Sequence, residues 1–429
     1  VVGTAGNNDV LDIASSTGGS MLRVTAGGNV GIGTTTPSEK LQVVGNISNI
    51  TKPNTTLSQI STASVEKGPY SVFVSGKYAY VANYTSNTIS VVDVSNPLFP
   101  IQIATTSVGT ETGPSSIFVS GKYAYVANAN SNSISVLDIS NPFAPIQIAT
   151  TSVGVAPQSV YVSGKYAYVA NFSGNSISVV DISNPSIPTQ IATLSFPVGT
   201  NPYSIYVSGR YAYTANNNNA SISVIDISNP FDPAQIATTS VGTSPYSIYV
   251  SGRYAYVANY GSNSMSVVDV SNPSAPIQVA TSSAGTWPSS IYVSGRYAYV
   301  ANYGSDNISV VDVSSSTAPV RITNVSVGTG PSSVFVSGRY AYIANYNGGS
   351  GSTISIIDIS GTEVTSLIAH SAEVGNIQSR NDIFAQGNIM AGTSLVVGAG
   401  GIMSQGALSI YASSTGSTSS IFGIDSTQA

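Results

Sequence analysis

The hexapeptide Ser-Gly-(Lys/Arg)-Tyr-Ala-Tyr occurs seven times in this chain, starting at Ser75, Ser120, Ser163, Ser208, Ser251, Ser294 and Ser337. Successive copies lie 45, 43, 45, 43, 43 and 43 residues apart. A unit that recurs at this period cannot bury its apolar residues alone and must stack on its neighbours. Four short strands with their turns fill such a period, and a ring of these units is a β-propeller. We therefore expect an all-β chain: a seven-bladed β-propeller over residues 57–361, with β-rich fibre-like stalk segments at both ends, 1–56 and 362–429.

One blade can be followed through residues 289–327. Residues 289–295 alternate and end in a Gly turn, and 297–302 form a second strand before the turn at 303–306. Residues 307–312 and 320–326 supply the third and fourth strands. Period-2 alternation, rich in Val, Ile and Tyr and punctuated by Gly, Asn and Pro, supports each assignment. In five blades the third-to-fourth connection contains Ser-Asn-Pro, in which Asn accepts turn geometry and Pro fixes φ. Residues 57–65 repeat the fourth-strand text of 101–108 but have no blade of their own in front of them. They are expected to close the seventh blade and leave no open sheet edge at the seam. Residues 364–370 are a competing candidate for that slot.

Composition narrows the functional classes. Charged residues are only 7% of the chain, the net charge is −5, and cysteine is absent. No basic run exists, which argues against nucleic acid. No apolar stretch is long enough for a membrane span, and thiolate metal sites and disulfides are excluded. The chain opens at Val1 without a charged-then-apolar leader, so an exported protein would here be in its processed form.

The text Tyr-Val-Ala-Asn-Tyr-Gly-Ser-Asn-Ser-Met-Ser-Val-Val-Asp (256–269), followed by Val-Ser-Asn-Pro, resembles the YVTN-type surface propellers and the LVIVD-repeat family. This resemblance covers all seven units. It implies a propeller of extracellular or cell-surface type and no single activity. Residues 28–47, with Gly375-Asn-Ile and Gly387-Asn-Ile, resemble the stalk text of phage tail-fibre-like proteins and bacterial surface fibres. That second resemblance implies intertwined β assemblies of several copies. Ala14-Ser-Ser-Thr-Gly recurs at Ala412, so the chain ends in the kind of module with which it begins. A tandem fibre and a processed fragment both fit.

Candidate sites follow from what repeats and what does not. First-to-second and third-to-fourth turns share one face of a propeller. That face carries a ring of Lys77, Lys122, Lys165, Arg210, Arg253, Arg296 and Arg339 beside Asp93, Asp138, Asp181, Asp226, Asp269, Asp312 and Asp358. Present in every blade, these read as turn-stabilising ion pairs and Asx caps rather than an ion-binding ring. The Asn ring (Asn83, Asn128, Asn171, Asn216, Asn259, Asn302, Asn345) reads as turn chemistry rather than a calcium site. The Tyr-Ala-Tyr pairs read as blade packing.

The blade-to-blade loop, on the opposite face, breaks the repeat. Its position before Pro is Gly68, Gly113, Ala156, Asn201, Ser244, Trp287 or Gly330, and Trp287 is the only Trp in the chain. Tyr70, Tyr203 and Tyr246 follow that Pro, and the two length insertions, near Glu111 and Phe196-Pro197, fall in or beside the same loop. Trp287, Tyr203, Tyr246 and Tyr70 are therefore the candidate contact residues for a glycan or a protein surface. No catalytic set is expected: the single His, His370, lies outside the blades, and no Ser-His-Asp arrangement can be assembled. No cofactor or metal is expected. Sequons at Asn46, Asn49, Asn54, Asn83, Asn171, Asn219, Asn307 and Asn324 permit glycosylation of an exported chain.

These observations lead to one expectation of function: a non-enzymatic extracellular, cell-surface structural or adhesive fibre protein. It would self-associate through its terminal β segments as a homo-oligomer or filament and display the propeller. The alternatives are a phage (virion) receptor-binding fibre and, more distantly, a ligand-binding or lyase-type propeller enzyme.

Overall fold

The computed structural model describes residues 57–346 and 352–359, and ahead of them 11–14, 20–25, 27–32, 36, 38 and 40–43. The stalk text at 362–429 and the sequons at Asn46, Asn49 and Asn54 lie outside the described residues, as do His370 and the 364–370 candidate.

Seven four-stranded antiparallel sheets form the propeller. Blades 1 to 6 cover residues 69–107, 114–152, 157–195, 202–240, 245–283 and 288–326, each with its strands in sequence order. Blade 7 takes Pro331–Ser337, Tyr340–Asn345 and Thr353–Asp358 from its own text and Gln59–Ser64 as its outer strand. The register runs from Thr353↔Ser64 to Ile357↔Gln59. Gln59–Ser64 thus closes the ring, and the seam is an ordinary strand pair.

The strand patterns explain the stacking. The second and third strands of every blade are buried on both faces, as in Tyr78–Asn83 and Thr88–Asp93. Alternate residues point to the two neighbouring blades. Tyr80, Ala82, Ile89 and Val91 of blade 1 pack on Ile117, Val119, Ala124, Val126 and Leu137 of blade 2, and the same layer recurs around the ring until blade 7 meets blade 1. Fourth strands lie outermost and read mostly exposed or half-buried. First strands line the axis.

Each first strand would leave one edge without a partner in its own sheet. A serine of the preceding blade meets it: Ser71 Oγ accepts from Ile117 N at 3.2 Å, and Ser116 accepts from Val160 N at 3.2 Å. The series continues through Ser159, Ser204, Ser247 and Ser290 and closes with Ser333 accepting from Val72 N at 3.3 Å. One residue-pair further along the axis, Phe73, Phe118, Tyr161, Tyr206, Tyr249, Tyr292 and Phe335 form a complete ring. Its neighbouring centroids are 4.5 to 5.1 Å apart. Tilted aromatic pairs at this spacing are favourable, and here they fill the centre of the propeller.

Ahead of the propeller, Leu11–Ala14, Ser20–Val24, Val30–Ile32 and Leu41–Val43 form a four-stranded sheet in that order. Its last pair is parallel, with Val30 opposite Leu41.

Candidate functional site

The two faces differ in chemistry. On the first, each repeated cation is engaged by its own blade. Arg210 Nη2 meets Asp226 Oδ2 at 2.6 Å and Arg253 meets Asp269 at 2.5 Å, while Arg296 pairs with Asp312 and Arg339 with Asp358. Every Lys or Arg of the ring also sits over the adjacent Tyr, from Lys77 on Tyr78 at 5.5 Å to Arg253 on Tyr254 at 5.2 Å. The Asp carboxylates cap the next turn, as Asp93 Oδ1 accepts from Ser95 N at 2.9 Å. These contacts hold the carboxyls of Asp93, Asp138, Asp181, Asp226, Asp269 and Asp312 below the usual range. Asp226 falls to about 2, through Ser228 first and Arg210 next, and Asp269 to about 2, with Arg253 the leading cause. The ring is turn architecture.

The Asn ring is likewise structural. All seven side chains are buried, and Asn128 Nδ2 donates to Ser133 and Ser135 at 3.2 and 2.9 Å, a pattern shared by its counterparts. Burial also corrects two expected glycosylation positions. Asn83 and Asn171 are 0% exposed, so a glycan cannot be accommodated there in the folded chain. Asn219 and Asn324 are exposed and Asn307 is half-buried.

On the opposite face the departures from the repeat converge. Tyr203 stacks on Tyr246 with centroids 4.1 Å apart, Tyr246 on Tyr260 at 4.4 Å, and Tyr260 on Trp287 at 5.7 Å. The hydroxyls of Tyr70 and Tyr203 hydrogen-bond although they belong to blades 1 and 4, so the pair bridges the axis. Tyr84 and Tyr346 lean on Tyr70 at 5.6 and 5.5 Å, and Phe172 meets Tyr203 edge-on at 5.5 Å. Of these rings, Tyr70, Tyr84, Tyr203, Tyr246, Tyr260 and Tyr346 surround a cavity of about 390 Å³, lined otherwise by Tyr303, Gln158, Ser289 and Ser332. Burial pushes the phenols of Tyr70, Tyr203 and Tyr246 above their usual pKa.

The four sequence candidates thus belong to one surface, but Trp287 reaches Tyr246 only through Tyr260. Tyr84, Phe172, Tyr260, Tyr303 and Tyr346 were missed. They share one register position, directly after the buried Asn, and only placing the second-to-third turns beside the inner-strand Pro-Tyr positions would have found them.

The position before Pro proves to be a left-handed backbone slot in every blade. Its φ is 71° at Gly68, 59° at Gly113, 53° at Ala156, 49° at Asn201 and Ser244, 53° at Trp287 and 62° at Gly330. A bulky residue in this region is unusual and strained. Trp287 holds it with its N–H donating to Asn263 Oδ1 at 2.8 Å and its indole lying over Gly304. Asp306, one of two extra blade acids, is a turn residue: its φ is 50° and its Oδ1 accepts from Gly330 N at 2.8 Å. The insertion at Phe196-Pro197 is not wholly a surface feature. Phe196 is 7% exposed and fills the core layer between blades 3 and 4, while Val198 stands 96% exposed.

Seven stacked four-stranded blades of one recurring text define a repeat propeller. The repeats are LVIVD repeats, matching at residues 70–105, 114–151, 156–194, 201–238, 244–282, 288–327 and 331–367, and the chain belongs to the LVIVD repeat family. Among curated proteins, no sequence matches it. Solved structures share the fold. Hydrazine synthase of Kuenenia stuttgartiensis is 19% identical at a TM-score of 0.56, over 73% of this chain and 99% of that one. Virginiamycin B lyase of Staphylococcus aureus is 13% identical at 0.55, over 70% and 98%. The β-propeller domain of Cps50 (Swd1) from Myceliophteria thermophila is 12% identical at 0.57, over 70% and 99%. At these identities the likeness is one of fold.

Proposed function

We propose that this chain is a non-enzymatic extracellular structural or adhesive fibre protein whose propeller presents an aromatic face to a glycan or cell-surface protein. One observation carries the reading. The closing strand begins at Gln59 opposite Ile357, so the chain joins and leaves the propeller on the Lys/Arg–Asp face, and the Tyr203–Tyr246–Tyr260–Trp287 stack lies on the other. Such a propeller is tethered by one face and free to make contact with the other. Stacked aromatic rings, half-exposed at Trp287, offer a large contact area at low conformational cost. The terminal segments, in this proposal, join copies into a homo-oligomer or filament.

The test pairs electron microscopy of the intact material with glycan-array and cell-surface binding of the wild type and Trp287→Ala. Filaments with propeller-sized beads and a loss of binding of about tenfold or more in the variant are expected. Discrete trimers would favour the receptor-binding fibre of a virion. Unchanged binding to every target would refute the assignment of the face. The fold likeness to a lyase gives the enzymatic alternative its interest, yet the cavity lining is Tyr, Ser and Gln. Turnover of a lactone or lyase substrate, abolished by cavity substitutions, would replace the adhesive reading.

A further inference from the structure

We propose that the cavity between the tyrosines is an aromatic cage for a compact organic cation, a quaternary or methylated ammonium group carried by the partner or offered free. The inference rests on the reading that this face is the binding face, and it names the chemistry recognised there.

Three observations lead to it. First, rings approach the cavity from blades 1, 4, 5, 6 and 7, through Tyr70 and Tyr84, Tyr203, Tyr246 and Tyr260, Tyr303 and Tyr346. Their mutual angles range from stacked, 17° for Tyr246 and Tyr260, to perpendicular, 81° for Tyr70 and Tyr346. Rings set at such angles wall a space on several sides, whereas a sugar ring lying on a binding platform needs one flat surface. An ammonium group within about 6 Å of several ring centroids is attracted by each ring's quadrupole.

Second, the hydroxyls of the lining serines and of the central tyrosine pair are engaged within the protein. Ser289 Oγ donates to Pro331 O at 2.7 Å and Ser332 Oγ to Pro69 O at 3.0 Å. The Tyr70 and Tyr203 hydroxyls engage each other. A methylated ammonium is held by the ring faces and needs no hydrogen-bond partner. The volume of about 390 Å³ falls within the range of small-molecule sites, roughly 300–1,000 Å³.

Third, the charge of the face does not oppose a cation. Its loops and second-to-third turns carry Glu66, Glu111 and Asp306 with the base Lys67, and Arg321 reaches the loop at Ala284 O, while the ring of seven Lys and Arg occupies the other face. The cavity lining itself carries no cation to repel an ammonium group.

The experiment titrates the full chain with choline, with tetramethylammonium and with 3,3-dimethylbutan-1-ol, the neutral isostere of choline, following Trp287 fluorescence and tyrosine NMR signals. Choline is expected to saturate and to bind about tenfold more tightly than the isostere, with tetramethylammonium competing. Tyr246→Phe keeps a ring and should bind choline within about threefold of the wild type, whereas Tyr246→Leu and Tyr346→Leu should lose about tenfold. Thermal melts check that each variant folds, and the comparison of ligands on the wild type needs no variant at all. Equal affinity for choline and its isostere, or no saturation by choline, overturns the cage. If that happens while surface binding still depends on Trp287, the cage fails alone and the adhesive reading stands. If choline saturates and Trp287→Ala leaves every surface target bound, the cage stands and that reading fails.

Discussion

The contact between Trp287 and Gly304 can be broken by a single methyl group. A Cβ added at Gly304 would lie 2.7 Å from Trp287 Cε3 and 2.9 Å from Cδ2, closer than real Cβ contacts allow, so in Gly304→Ala the indole must move. The indole is 46% exposed, so it keeps about half of ~250 Å² out of water. At about 25 cal/mol/Å² that burial contributes at most about 3 kcal/mol, and the stack on Tyr260 adds ~0.5–1.5 kcal/mol. A displaced indole forfeits part of both, against a gain of ~0.4–1 kcal/mol from restricting the unfolded chain at residue 304. The net expectation is a loss of about 1–2 kcal/mol. The cycle with Trp287→Gly isolates the contact: without the indole, Gly304→Ala should be neutral or stabilising, giving a coupling of about 1–2 kcal/mol. Chemical denaturation of the four proteins measures it. As Trp287 is the only Trp, a red-shifted emission in Gly304→Ala reports the displacement directly. Additive stabilities with an unchanged emission would refute the packing.

Three further outcomes are expected. Ser247→Ala leaves the Ile291 N–H, now bonded at 3.2 Å, without its acceptor and should cost about 1–2 kcal/mol in denaturation, whereas the outer-strand Thr281→Ala should cost little. The depressed carboxyls of Asp226 and Asp269, each at about 2, lie below the unfolded value of about 3.9. Their contribution is therefore present above pH ~4 and lost as pH falls toward 2, so melting temperatures should drop in that window and less steeply in Asp226→Asn/Asp269→Asn. Burial raises Tyr125, Tyr168 and Tyr342 to about 12. Stability should then be intact below the unfolded value of about 10 and decline as pH rises through 12. Absorbance titration should show these phenols ionising together with the loss of near-ultraviolet dichroism, and ordinary titration of every Tyr in an intact fold would contradict it.

The architecture was legible because it rests on short-range signals repeated in every blade. Period, alternation and Asn-Pro turns are local, and the orphan fourth-strand text at 57–65 could be matched with its copies. The aromatic face was only half legible. Tyr70, Tyr203, Tyr246 and Trp287 stand out as departures within one loop. Tyr260 and Tyr346 follow the buried Asn and look like turn residues until the turns of all blades are brought to one mouth. The ring from Phe73 to Phe335 was hidden for another reason. Its residues look like ordinary alternating strand positions, and nothing local says that position 73 and its equivalents point at the axis. Asn83 and Asn171 show the converse, since their sequons are intact while the fold buries both amides.

The repeat also shows what the departures give up. Where the position after Pro is Ser, its hydroxyl donates to the Pro carbonyl of the next blade, as Ser115 does to Pro157 at 2.8 Å and Ser289 to Pro331 at 2.7 Å. A tyrosine there turns into the mouth, so blades 1, 4 and 5 forgo a bond worth about 0.5–1.5 kcal/mol each. Blade 6 places Trp287 in a backbone slot that three blades fill with Gly, at a strain of about 1–3 kcal/mol. Burial and stacking of the rings, and the Tyr70–Tyr203 hydrogen bond, offset this energy. All four departures lie on one face and join into one aromatic surface. Equivalent positions of seven blades share a face by construction, so it is the ring-to-ring contact among these residues, not their common face, on which the proposed recognition rests.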